Sequence, residues 1–130
     1  MRKGIVSDVD YTNGMVAVIY SDGEKSTTDL FPCLNTGDEY KMPEIGEMVV
    51  VGRLSTGSGV VLGKLWNRGS QPGRSGKGVY HKKLSSTAAI SASDTEHMKF
   101  EDEDIVFSTG YGLVTVVDIM KRLEALEGKI

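Results

Sequence analysis

Two strand-length apolar runs, Met48 to Leu54 and Val60 to Trp66, flank the turn Ser55-Thr56-Gly57-Ser58-Gly59. They constrain this chain more than any other feature, because β-branched runs of this length on either side of a Gly/Ser turn read as a β-hairpin. The same grammar opens the chain. Gly4-Ile5-Val6-Ser7-Asp8-Val9-Asp10 and Gly14-Met15-Val16-Ala17-Val18-Ile19-Tyr20 are joined by Tyr11-Thr12-Asn13-Gly14, whose Asn-Gly pair is a strong hairpin signal. Val16, Val18 and Tyr20 alternate with Ala17 and Ile19, so this second strand is expected to be apolar on both faces. Ser21-Asp22-Gly23 supplies the next turn. Thr27 to Leu34 reads as a third strand, with Pro32 arguing for an edge or a bend. Asn35 to Pro43 reads as a polar loop. Five or six short strands within residues 1–68 predict a closed or partly closed barrel, and the five-stranded OB-fold is the common solution at this size.

Beyond the barrel the composition changes. Residues 69–83 begin Gly-Ser-Gln-Pro-Gly-Arg-Ser-Gly-Lys-Gly and carry only positive charge, at Arg74, Lys77, Lys82 and Lys83. This reads as a solvated Gly/basic linker in preference to a phosphate-binding patch. Residues 84–114 hold short strand patterns, His97 to Phe100 and Asp104 to Ser108, around the acidic turn Glu101-Asp102-Glu103-Asp104. Strands with so little apolar content cannot form a core alone and need packing partners. Residues 115–130 predict a helix. Thr115 and Asp118 have capping-box spacing. Val116, Ile119, Leu123, Leu126 and Ile130 then follow the a/d spacing of a coiled coil, with Lys121 and Arg122 on the polar side. A helix this short is marginal in isolation, so the seam is a candidate oligomerisation surface, with docking on the chain's own barrel the alternative. Apolar residues are 39% of the chain and glycines number 16, which implies a modest core and favours association as a second source of burial.

Chemistry-bearing constellations are weak throughout. Cys33 is the single cysteine, which excludes an internal disulfide, and its apolar context reads as core. Gly76-Lys77 lacks the phosphate-loop pattern, with Gln71 where the first Gly belongs and Gly78 where a Ser/Thr belongs. His81 and His97 have no helix-spaced carboxylate partner. The acidic run at residues 101–104 lacks the alternating ligands of a calcium loop and reads as a solvated turn. Gly57-Ser58-Gly59 lies between strands, away from any strand-to-helix elbow. The reading is therefore not an enzyme, with no cofactor and no metal. The net charge of −3 and the few aromatics of the barrel (Tyr11, Tyr20, Phe31, Tyr40, Trp66) argue against nucleic acid as a partner. No signal-like segment opens the sequence and no apolar run approaches membrane-spanning length, so synthesis in the cytosol is expected.

Residues 4–68 resemble the OB-fold domain of phage baseplate assembly protein V, the central spike or hub of contractile tails. The resemblance rests on Gly4-Ile5-Val6-Ser7-Asp8-Val9-Asp10, on the Gly14 to Tyr20 strand closed by Asp22-Gly23, on Pro43-x-x-Gly46-Glu47-x-Val49-x-Val51, and on Gly59-Val60-Val61-Leu62-Gly63-x-Leu65. It covers about half of the chain. It implies a homotrimer of barrels about a three-fold axis, followed by a short intertwined β stalk and, here, a short C-terminal helix. It also implies tail-tube and baseplate-wedge proteins as partners, transient contact with the host envelope, and residence in the virion baseplate or a tail-like particle. Longer members of that family carry a His-x-His metal tip, which this sequence lacks. The alternative function is a monomeric OB-fold adaptor or single-stranded nucleic-acid-binding module.

Overall fold

The computed structural model describes residues 1–129; Ile130, the last position of the predicted seam, lies outside them. The chain is mainly β, with one short helix among the described residues. It divides into two compact units, one ending at Gln71 and one beginning at Pro72.

The first unit holds β1 (Arg2–Asp10), β2 (Met15–Tyr20), β3 (Phe31–Pro32), β4 (Met48–Arg53) and β5 (Gly59–Lys64). They form one sheet in the order β3-β2-β1-β4-β5, with each neighbouring pair antiparallel. Beyond the edge strand β3, Cys33 makes a parallel bridge to Val61 of β5, and the Leu34 N–H donates to the Val61 carbonyl at 2.9 Å. The two ends of the sheet order thus meet at one point. Two register shifts curve the sheet. One lies between Val6 and Asp8 on β1, the other between Val50 and Val51 on β4, opposite Leu62. Each resets which side chains face inward, so Val6 and Val9 both meet the core although three residues apart.

That core is small and valine-rich: Val6, Val16, Val18, Val49, Val51 and Val61 with Tyr20, lined by Phe31, Cys33 and Met42. Valine suits a tightly curved sheet because its stiff, β-branched side chain packs on the pleat with little rotamer entropy to lose. Glycine is required where strands approach closely. A Cβ on Gly4 would stand 2.4 Å from Val18 Cγ1 and 2.6 Å from the Ile19 carbonyl oxygen. The Pro43–Val51 stretch also has a local cause. Gly46 adopts φ +93°, and the Glu47 carboxylate accepts from the Glu44 N–H at 2.6 Å and from Lys64 Nζ at 2.9 Å. These contacts tie the entry of β4 to the end of β5.

One expectation changes in this unit. The third strand is two residues long instead of spanning Thr27 to Leu34. Thr27 and Thr28 do follow β2, but the Thr28 hydroxyl takes the Val18 N–H, and Pro32 has no N–H to give. On β2, apolar on both faces, Ile19 is exposed and the strand is buried mainly through Val16, Ala17, Val18 and Tyr20.

The second unit holds β6 (Tyr80–Lys83), β7 (Ala89–Ala92), β8 (Lys99–Glu101), β9 (Val106–Thr109), β10 (Gly112–Thr115) and α1 (Val116–Glu127). Strands β6-β7-β8 make an antiparallel sheet, and β9-β10 make a separate hairpin. The Gly/basic stretch therefore ends in a strand: residues 80–83 pair with Ala89–Ala92. Arg74, read as part of a solvated basic linker, reaches Ser91 Oγ at 3.3 Å and Glu96 Oε2 at 2.6 Å.

Candidate functional site

The C-terminal helix begins where the capping box predicts. Thr115 is extended, with φ −102° and ψ 151°, and its Oγ1 accepts from the Asp118 N–H at 3.1 Å. A second cap comes from further back in the chain. Asp104 Oδ1 accepts from the Val117 N–H at 3.1 Å and from the Ile105 N–H at 2.8 Å, while the Val116 N–H donates to the Ile105 carbonyl. The Val117 N–H, with further hydrogen bonds from Ile105 and Thr115, holds the Asp104 carboxyl below the usual range. Asp104 is thus a fixed negative charge at the positive end of the helix, where the macrodipole favours it. This corrects the reading of residues 101–104 as merely a solvated turn.

Asp104 and Thr115 fix the helix start against the β9–β10 hairpin. Four of the five predicted seam residues can then be placed. Val116 is half-buried near the hairpin, whereas Ile119, Leu123 and Leu126 are exposed, Leu123 by 54%. None of the helix's described residues is buried. The hairpin adds to the same kind of surface: Phe107 is 52% exposed, Leu113 75%, and Tyr111 fully. All the buried apolar residues of the described chain belong to the first unit, and the buried residue of the second is the polar Ser91. A unit of this make-up leaves its apolar surface in water. Covering the open half of each of Ile119, Leu123 and Leu126 would stabilise by about 1 kcal/mol per side chain.

Polar contacts do some of the work that a core would do. The Arg74 hydrogen bond and charge hold the Glu96 carboxyl below its usual range, and the pair closes the loop before β6 over the middle of the small sheet. His81, opposite Ser91 in the register, has its Nδ1 buried without a hydrogen-bond partner.

Elsewhere the surface offers little chemistry. An open cleft of about 320 Å³ lies between the β1–β2 turn and the loop after β3. Tyr40 spans it by donating its hydroxyl to the Tyr11 carbonyl at 3.0 Å. Asp38, Glu39 and Lys41 line it, so acids outnumber bases where a phosphate backbone would need the reverse. Cys33 packs against the valine core, and burial pushes its thiol up, which suits a core residue and not a nucleophile. Among the described residues, no three His, Cys, Asp or Glu side chains converge as a metal ion requires. No helix of the described chain is long and apolar enough to cross a membrane.

Sequence reasoning found the seam and its Thr115 cap but missed Asp104, Arg74–Glu96 and the partner strand β10. The first two act across 13 and 22 residues, beyond any local motif. A signal for β10 was present in Gly110-Tyr111-Gly112, a turn flanked by β-branched and aromatic residues. No protein-family model matches the chain, and no curated protein sequence matches it.

Proposed function

We propose that this chain is a structural protein, the trimeric hub or central spike of a contractile phage tail or tail-like particle. In this reading it caps the distal end of the tail tube and seeds the baseplate. The observation that carries it is the contrast between the two units: a first unit with its own valine core, and a second with exposed apolar strands and helix and no buried apolar side chain among its described residues. Three copies supply the missing burial when hairpins and helices meet on a shared axis. Load along a tail suits such an arrangement, because force is then spread over several chains.

The first unit fits the OB-fold barrel of this proposal. The order β3-β2-β1-β4-β5 together with the parallel Cys33–Val61 bridge supports that reading, because a closed five-stranded barrel needs its two edge strands to meet. The segments that carry the resemblance to baseplate assembly protein V occupy structural positions. Gly4 and Gly59 are close-approach glycines, and Gly46-Glu47 forms the tie to Lys64. Tail-tube and wedge proteins are the partners in this reading, the baseplate is the location, and contact with the host envelope is transient.

The test is deletion of the gene in the producing particle, followed by electron microscopy. The expected result is loss of assembled contractile tails, restored by the gene in trans. Normal particles from the deletion would refute the reading.

A further inference from the structure

We propose that Asn13 is a site of spontaneous deamidation, and that its conversion unlocks the turn between β1 and β2. The reaction needs an exposed side-chain amide followed by an unshielded backbone nitrogen. Asn13 is exposed, and the residue after it is glycine. Gly14 has no side chain to screen its nitrogen, and the space where a Cβ would stand is empty to 4 Å. In the reaction the Gly14 nitrogen attacks Asn13 Cγ. The new N–Cγ bond closes a succinimide ring, the Cγ–Nδ2 bond breaks, and ammonia leaves with the proton of the Gly14 N–H. Solvent water then opens the ring. Opening at Cγ gives aspartate at position 13. Opening at the main-chain carbonyl gives isoaspartate, whose backbone runs through Cβ and Cγ and gains an atom.

The contacts of this turn define the consequence. Asp10 accepts from the Asn13 N–H at 3.2 Å through Oδ1 and from Asn13 Nδ2 at 2.9 Å through Oδ2. These bonds hold the Asp10 carboxyl below its usual range, so it is charged at neutral pH. Aspartate at position 13 sets a second carboxylate where the amide donor stood, and an attractive contact becomes a repulsive one. The backbone itself accommodates the change, because Asn13 does not have a positive φ. The turn is also tied to the next strand. The Gly14 carbonyl accepts from the Cys33 N–H at 2.9 Å, and Met15 pairs with Pro32 of β3. An extra backbone atom between residues 13 and 14 displaces that carbonyl, so isoaspartate loosens β3 as well.

The chain's other asparagines are internal controls. Thr36 follows Asn35 and Arg68 follows Asn67, and those side chains screen the attacking nitrogen. The test incubates the full-length protein at mildly alkaline pH, where the backbone nitrogen loses its proton more readily, and maps its peptides by mass spectrometry. The expected result is conversion of Asn13 to both aspartate and isoaspartate while Asn35 and Asn67 remain amides. The Asn13→Gln variant should stay intact at position 13, because its longer side chain closes a ring less readily. Conversion of Asn13 no faster than that of Asn35 or Asn67 would overturn the site. The consequence is read separately in Asn13→Asp, whose melting temperature by circular dichroism should fall by about 5 °C. Asp10→Asn combined with Asn13→Asp restores a donor facing a carboxylate with the roles exchanged, and should recover most of that loss. A wild-type melting temperature for Asn13→Asp, or a double variant no more stable than it, would overturn the unlocking of the turn.

Discussion

Gly59→Ala should open the junction between β3 and β5. A Cβ at this position would stand 2.4 Å from Phe31 Cε2 and 2.6 Å from both Cδ2 and Cζ. Ordinary carbon contacts need about 3.5 Å, so the ring must retreat by about 1 Å. Phe31 lines the valine core beside the Cys33–Val61 bridge, so the retreat disturbs that bridge between the strand ends. Overpacking of this kind costs about 1–3 kcal/mol. Phe31→Ala removes a half-buried ring at about 2 kcal/mol, half the range for a fully buried one. With no ring to strike, the double variant should cost little more than Phe31→Ala alone. The expected interaction energy is thus about 1–3 kcal/mol in the direction of relief. Urea unfolding followed by far-UV circular dichroism measures all four corners of the cycle. A Gly59→Ala cost below about 0.5 kcal/mol, or simple additivity in the double variant, would refute the packing of Phe31 on Gly59.

Three further outcomes follow from the same contacts. Burial raises the Glu47 carboxyl, but hydrogen bonds from the Glu44 N–H and Lys64 more than offset this, and Asp104 is lowered by the Val117 N–H, so both bind protons less readily folded than unfolded. Their contribution is present above the unfolded value of about 4 and is lost as pH falls through the lower folded value; a pH series of melting temperatures should fall there, with a smaller fall in Asp104→Asn. Cys33 should react slowly with a thiol reagent at neutral pH and at the rate of a free thiol in denaturant; equally fast reaction in the folded protein would contradict its place against the core. Leu123→Asp should abolish self-association, since a carboxylate at a covered a position costs several kcal/mol in every copy; unchanged mass by light scattering would put the helix at the periphery.

The first unit was largely legible because its signals are local. Asn13-Gly14 turns the chain with Gly14 at φ +67°, and Gly57 turns the second hairpin at φ +89°. The valine runs give strands wherever alternation is clean. The third strand was overread because the pattern of Thr27 to Leu34 does not reveal that the Thr28 hydroxyl would take the place of a ladder carbonyl. In the second unit, residues 80–83 looked like linker because Tyr-His-Lys-Lys carries no apolar alternation; their strand exists through pairing with Ala89–Ala92. Asp104 resembled any acid in an acidic run, and its role depends on a helix start 13 residues later. The apolar seam was plain in the spacing of Val116, Ile119, Leu123 and Leu126. Its exposure was not, because exposure depends on every other element of the unit and not on a local pattern.

The mass of the full-length protein in solution, measured by sedimentation equilibrium at micromolar concentration, tests the trimeric hub most directly. The expected result is a single species of three times the 14.1 kDa chain, reduced to monomer when the chain is truncated after Gln71. A full-length species at the mass of one chain would contradict it.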